Sequence, residues 1–252
     1  MENPQARSLR TKPITVACLG SSTTASRGTF KWIDELAHRP RNRQFRFVNL
    51  GVGGDLAYNA LQRLPRVIAS HPDKVIVIIG GNDVLAHVFK NVRKFFGGWK
   101  RLPHEPSPEW FKQNLEAIVH GLKHGTSADI ALVSLPPIGE DPHPTDPVQQ
   151  ELNFRIKQYS QIIQETAREE HVSYIPLYER LQEQIKVSPG PAFTRFSFLS
   201  FYRDYVLREF ILRKSFDEIA RLNGWKFHID GVHLNTRGGM VLAGLVQDFL
   251  DA

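Results

Sequence analysis

"ITVACLGSSTT" (residues 14–24) is the stretch on which the fold turns. Its first six residues are apolar or β-branched and carry no charge, the composition of a strand buried on both faces. Gly20 then interrupts, and two serines and two threonines follow, residue types that cap helix N-termini. The stretch therefore reads as strand, turn, helix. Four more runs read as strands: "FRFVNL" (45–50), "KVIVII" (74–79), "DIALVSL" (129–135) and "VSYIPL" (172–177). Helical apolar spacing appears at 29–38, 57–69, 109–122, 147–169 and 237–250. The prolines of "EDPHPTDP" (140–147) interrupt both periodicities and mark a loop. Strands alternating with helices predict an α/β fold, a parallel sheet covered on both faces.

A chain of 252 residues can bury a substantial core, and 41% hydrophobic with 23% charged residues is ordinary globular composition. The expected organisation is a polar leader over 1–12 and one α/β domain over 13–252, with insertions near 85–107 and 183–227. Within the second insertion, a long helix is expected from about 200 to 222. The leader has no apolar core and no run of about 18 apolar residues occurs, so a cytoplasmic location is the expectation. Cys18 is the only cysteine, which excludes an internal disulfide and a cysteine-rich zinc site. It sits inside an apolar run and reads as a small core residue.

The net charge of +6 permits contact with anionic partners without demonstrating one. Its one dense basic segment, "FKNVRKFFGGWKR" (89–101), mixes five Lys/Arg with three Phe and one Trp. It reads as an amphipathic segment with inward aromatics, with a lid or acyl-binding wall and a membrane-surface contact as alternatives. No recognisable nucleic-acid module accompanies it, so no specific nucleic-acid binding is expected. Oligomeric state is not legible.

Ligands of open parallel sheets bind outside the carboxyl ends of the strands. There the chain places "GSSTT" after the first strand, "GVGGD" (51–55) after the second and "GGND" (80–83) after the third. "DGVHLN" (230–235) stands ahead of the last helix. Phosphate binding fails on detail: no lysine follows a suitable glycine, and Leu56 occupies the last glycine position of a dinucleotide fingerprint. Acyl transfer fits better. A serine nucleophile needs a base, the base needs an orienting acid, and the developing oxyanion needs N–H donors. "DGVHLN" offers Asp230 and His233, while the glycine turns and Asn82 offer donors.

With these four blocks in this order, the chain resembles the SGNH, or GDSL-type, esterase and lipase superfamily. "LGSST" matches the first block and puts the nucleophile at Ser22; "NLGVGGD" matches the second and puts an oxyanion-hole glycine at Gly54. "GGND" makes Asn82 the side-chain oxyanion donor, and "DGVHLN" makes Asp230 and His233 the acid and base. The resemblance implies a flavodoxin-like three-layer sheet of about five parallel strands, an ester substrate of small-molecule or lipid type, and no metal or cofactor. Two positions depart from the family pattern: Ser21 stands where an acid is usual, and Gly53 where a serine is common. Neither is a triad position. The α/β-hydrolase alternative would carry G-x-S-x-G, which is absent. Lysophospholipase, acyl-thioesterase and carbohydrate acetylesterase activities remain open, as does a non-catalytic binding protein on the same fold.

Overall fold

The computed structural model describes residues 12–197 and 213–252. Strand β1 (Ile14–Gly20) turns into a one-turn helix α1 (Ser22–Ala25), and α2 (Trp32–His38) returns the chain to β2 (Phe45–Gly51). Helices α3 (Ala57–Leu61) and α4 (Leu64–Ile68) precede β3 (Lys74–Ile78). Next come α5 (Gly81–Val88), α6 (Lys90–Trp99) and α7 (Pro108–Gly125), then β4 (Asp129–Val133) and α8 (Pro147–Glu169). The described chain ends with β5 (Ser173–Ile175), α9 (Leu177–Val187), α10 (Phe216–Asn223) and α11 (Thr236–Asp251).

The five strands are all parallel, in the order β2-β1-β3-β4-β5. This is the flavodoxin-like order, with its switch point between β1 and β3. Because strand side chains alternate, each strand feeds two cores. Ala17, Leu19, Val75, Val77 and Leu132 point into one core with residues of α3, α7 and α8. Val16, Cys18, Ile76, Ile78 and Val133 point into the other, with residues of α2, α9 and α11. Cys18 is fully buried there, and burial pushes its thiol far above the ordinary range. Double-sided burial explains why these strands read as continuous apolar runs.

Three features differ from the sequence reading. The single helix expected over 57–69 is two, because Pro65 lacks an N–H and its ring would strike the carbonyl of Leu61, where α3 ends. The segment 85–107 is largely helical: α6 buries Val92 and Phe96 while Phe95 and Trp99 stay substantially exposed. Of the long helix expected at about 200–222, residues 198–212 lie outside the described set; 213–215 are not helical, and α10 starts at Phe216 behind a Ser215 cap rather than continuing a longer helix. No described helix is long and apolar enough to cross a membrane.

Candidate active site

At the switch point the carboxyl ends of β1 and β3 deliver Ser22 and Asn82 to one pocket. Gly20 permits this crowding, since a Cβ there would lie 2.5 Å from Ile78 O and closer still to Thr24 Oγ1. Ser22 opens α1, and the preceding Ser21 makes no side-chain capping bond. The role of cap is therefore not what the hydroxyl of Ser21 does here.

The loop before α11 brings the other two predicted residues, and its path is set by local bonds. His228 and Leu234 form an antiparallel bridge, Ile229 N donates to His233 O at 2.7 Å, and Asn235 caps α11 through Gly238 N. Within this tight loop, Asp230 Oδ1 accepts from Val232 N at 2.9 Å and from His233 N at 2.8 Å. That leaves Asp230 Oδ2 facing His233 Nδ1 at 2.8 Å. On its other side the imidazole presents Nε2 to Ser22 Oγ at 3.0 Å, across 211 residues of sequence. With Nδ1 protonated toward the carboxylate, Nε2 carries the lone pair that the Ser22 hydroxyl can donate to.

The electrostatics match this order. Burial disfavours the Asp230 carboxylate, but the His233 charge and the hydrogen bonds from His233 and Val232 outweigh it and hold the pKa at about 2. Burial likewise lowers the basicity of His233, and the Asp230 charge and hydrogen bond more than reverse it, so the imidazole pKa is raised.

Gly54 adopts φ +75°, a left-handed conformation natural to glycine, in the turn between β2 and α3. A Cβ there would also strike the Trp99 ring, so the turn and α6 are in close contact. Asn82 donates from Nδ2 to Asp55 O at 2.9 Å. An amide carries two N–H groups, and the second has no acceptor among the described residues. The pocket lined by Ser22 and Asn82 is small, about 30 Å³, and walled by Leu135, Pro136, Ile138 and Val232. Among the described residues no cluster of three or more His, Cys, Asp or Glu is arranged to hold a metal ion.

Five residues outside the predicted set organise the site. Asp55 is a buried carboxylate paired with Arg63 at 2.7 Å and Lys100 at 2.8 Å. Its Arg63 partner also donates to Leu50 O and Gly20 O, tying together the ends of β1 and β2. Behind the loop that carries Asp230 and His233, Glu140 and His228 form a fully buried pair at 2.9 Å. Glu140 accepts from Lys226 N, Phe227 N and His228 N as well. Despite the cost of burial, the His228 ring and these N–H groups hold Glu140 below the ordinary carboxylate range. His228 Nε2 meets Pro137 O at 2.9 Å, so both ring nitrogens face acceptors. No periodicity or motif marks this pair; Glu140 opens a stretch that reads simply as loop.

Comparison with known proteins agrees with this architecture. The profile of the GDSL-like lipase/acylhydrolase family matches residues 18–196. Among solved structures, a catalytic mutant of the acetylxylan esterase Axe2 from Geobacillus stearothermophilus aligns with TM-score 0.64 and 17% identity, over 94% of this chain and 95% of that one. The lipase/acylhydrolase from Enterococcus faecalis aligns with TM-score 0.58 and 18% identity, over 94% and 95% of the two chains. LAE5, an α/β hydrolase from the metagenome of Lake Arreo in Spain, gives 0.61 and 16%, over 93% and 94%. At these identities the structures speak to the fold. A search of curated protein sequences returned no match. With a family profile covering most of its length and the parallel sheet of the same hydrolases, the chain belongs to the GDSL-like lipase/acylhydrolase family.

Proposed function

We propose that the protein is a serine esterase that cleaves carboxylic esters through an acyl-enzyme intermediate on Ser22. The observation that carries this reading is the continuous hydrogen-bonded line Ser22 Oγ–His233–Asp230, with spacings of 3.0 and 2.8 Å. In the first half-reaction, Oγ attacks the ester carbonyl carbon as Nε2 takes the Ser22 proton. The carbonyl π electrons move onto oxygen, where the N–H groups of Ser22 and Gly54 and the Asn82 amide would receive the negative charge. Collapse of the intermediate breaks the carbon–oxygen bond to the alcohol, which leaves with the proton from His233. Water then repeats the sequence on the acyl-serine, releasing the carboxylic acid and restoring Ser22. Asp230 keeps the imidazole in the correct tautomer and stabilises its cation without accepting the proton itself.

The pocket favours short acyl groups, because about 30 Å³ between Leu135, Pro136, Ile138 and Val232 leaves little room for a chain. Carbohydrate deacetylation is the variant of the reading that suits this pocket, and acetylxylan esterases are among the proteins that share the fold. Ser22→Ala should abolish both turnover of nitrophenyl acetate and labelling by a fluorophosphonate probe. Retention of both in the variant defeats the assignment, as does an unlabelled, inactive wild type. On a panel varying acyl and alcohol parts separately, acetate esters should outrun long-chain esters. A rise in rate with chain length would favour a lysophospholipase or thioesterase instead.

A further inference from the structure

The basic segment 89–101 is not uniformly a solvated face. Lys100, at the carboxyl end of α6, points inward, with its side chain only 10% exposed. Its ammonium donates to Gly53 O at 2.8 Å and to Asp55 Oδ1 at 2.8 Å, and lies 4.1 Å from the centre of the Trp99 ring. Its own carbonyl accepts from Asn59 Nδ2 at 3.2 Å, which pins the end of α6 to α3. The two groups that Lys100 holds flank Gly54 on either side. The same Asp55 supplies the carbonyl that orients Asn82.

We propose that Lys100 is a positioning residue of the oxyanion hole: it clamps the Gly53–Asp55 turn so that the Gly54 N–H and the Asn82 amide face the reacting carbonyl oxygen together. This inference rests on the esterase reading above. The physical case is one of geometry and charge. Donors in an oxyanion hole act because they are aimed before the charge develops, and a misplacement of about 1 Å can cost about 100-fold in rate. The turn contains Gly54, whose missing side chain gives it no packing of its own, so something outside must hold it. Lys100 does this with a charge-assisted bond on each side, and the Trp99 ring closes over the remaining face. Arg63 pairs with the other oxygen of Asp55, so losing Lys100 does not strand a buried carboxylate. The fold should survive its removal while the aim of the donors does not.

The test exploits the buried Cys18, which leaves an introduced thiol as the reactive one. Lys100→Cys should lower kcat for nitrophenyl acetate by about 10–100-fold, with KM changed by less than about threefold, because the oxyanion exists only after attack. Alkylation with 2-bromoethylamine rebuilds an ammonium at nearly lysine length and should restore most of kcat. Alkylation with iodoacetamide adds a neutral group and should not. Lys100→Met, folded by circular dichroism, should show the same kcat loss. The proposal falls if kcat stays within about twofold of wild type, if the neutral adduct restores activity equally, if neither adduct restores it, or if the loss lies in KM. Fluorophosphonate labelling of wild-type Ser22 separates the two levels: a labelled, active wild type with an indifferent Lys100 variant overturns the clamp alone. An unlabelled, inactive wild type overturns the esterase reading beneath it.

Discussion

Replacing Glu140 tests how the acid–base loop is held. Its fully buried carboxylate accepts from the N–H groups of Lys226, Phe227 and His228 and from His228 Nδ1. Glu140→Ala leaves these four donors facing a void. At about 1–3 kcal/mol for each orphaned buried donor, the sum would be roughly 4–12 kcal/mol. Water entering the space vacated by the side chain recovers part of that. The expected net loss is about 3–5 kcal/mol, toward the low end of that sum. Glu140→Gln preserves the shape and one acceptor oxygen. Its amide then sets a donor against Lys226 N–H where Oε2 accepted at 2.8 Å, so about 1–3 kcal/mol should be lost.

Urea unfolding gives the comparison directly, and the midpoint of thermal unfolding should fall by about 2–4 °C for each kcal/mol in a chain of this size. The order expected is wild type, then Glu140→Gln, then Glu140→Ala. Because residues 226–228 lead straight into Asp230 and His233, ester turnover should fall in the same order under conditions where each protein is folded. A Glu140→Ala protein within about 0.5 kcal/mol of wild type, the range of an ordinary surface substitution, would refute the reasoning.

Two further predictions concern protons. In the proposed mechanism His233 is the base and must be neutral, and its pKa is raised above 6.5 by Asp230, so kcat/KM should rise with pH through an inflection above 6.5. Asp230→Asn removes that charge and should lower both the inflection and the rate; an inflection unchanged by the substitution would contradict the pairing. Asp83, buried at the start of α5 with Ala57 N donating to it, is pushed by burial up to about 8. The folded state thus holds a proton that the unfolded chain releases near 3.8, and wild-type stability should decline as pH rises between those values. Asp83→Asn cannot ionise and should flatten that decline between pH 3.8 and 6.5, below the range where His233 titrates, in urea titrations across pH; a persisting slope of equal size would assign it elsewhere.

Much of this molecule is legible from one dimension. Apolar runs ending in glycine, separated by segments of helical spacing, specify a parallel sheet, because only strands buried on both faces lack polar alternation. The rule that ligands gather at the carboxyl edge of such a sheet then selects the blocks at 20–24, 51–55 and 80–83, within which the family resemblance points to Ser22, Gly54 and Asn82, and the short block 230–235 offers Asp230 and His233. These are local signals, carried by a few neighbouring residues each. Pro65 was equally visible and ends α3, a break that the apolar spacing alone obscured.

What needed the tertiary structure is everything that depends on pairing between distant segments. Asp55 and Lys100 lie 45 residues apart, and Glu140 and His228 lie 88 apart. A lone charged residue in a sequence looks like solvated surface, and a lone glutamate in a proline-rich stretch looks like loop. Only the folded chain shows that each is buried against a specific polar partner, because burial and partnership are properties of three-dimensional neighbours rather than of sequence spacing. The sequence by itself determined the sheet and the residues at its edge. Folding decided which charges turn inward to hold them.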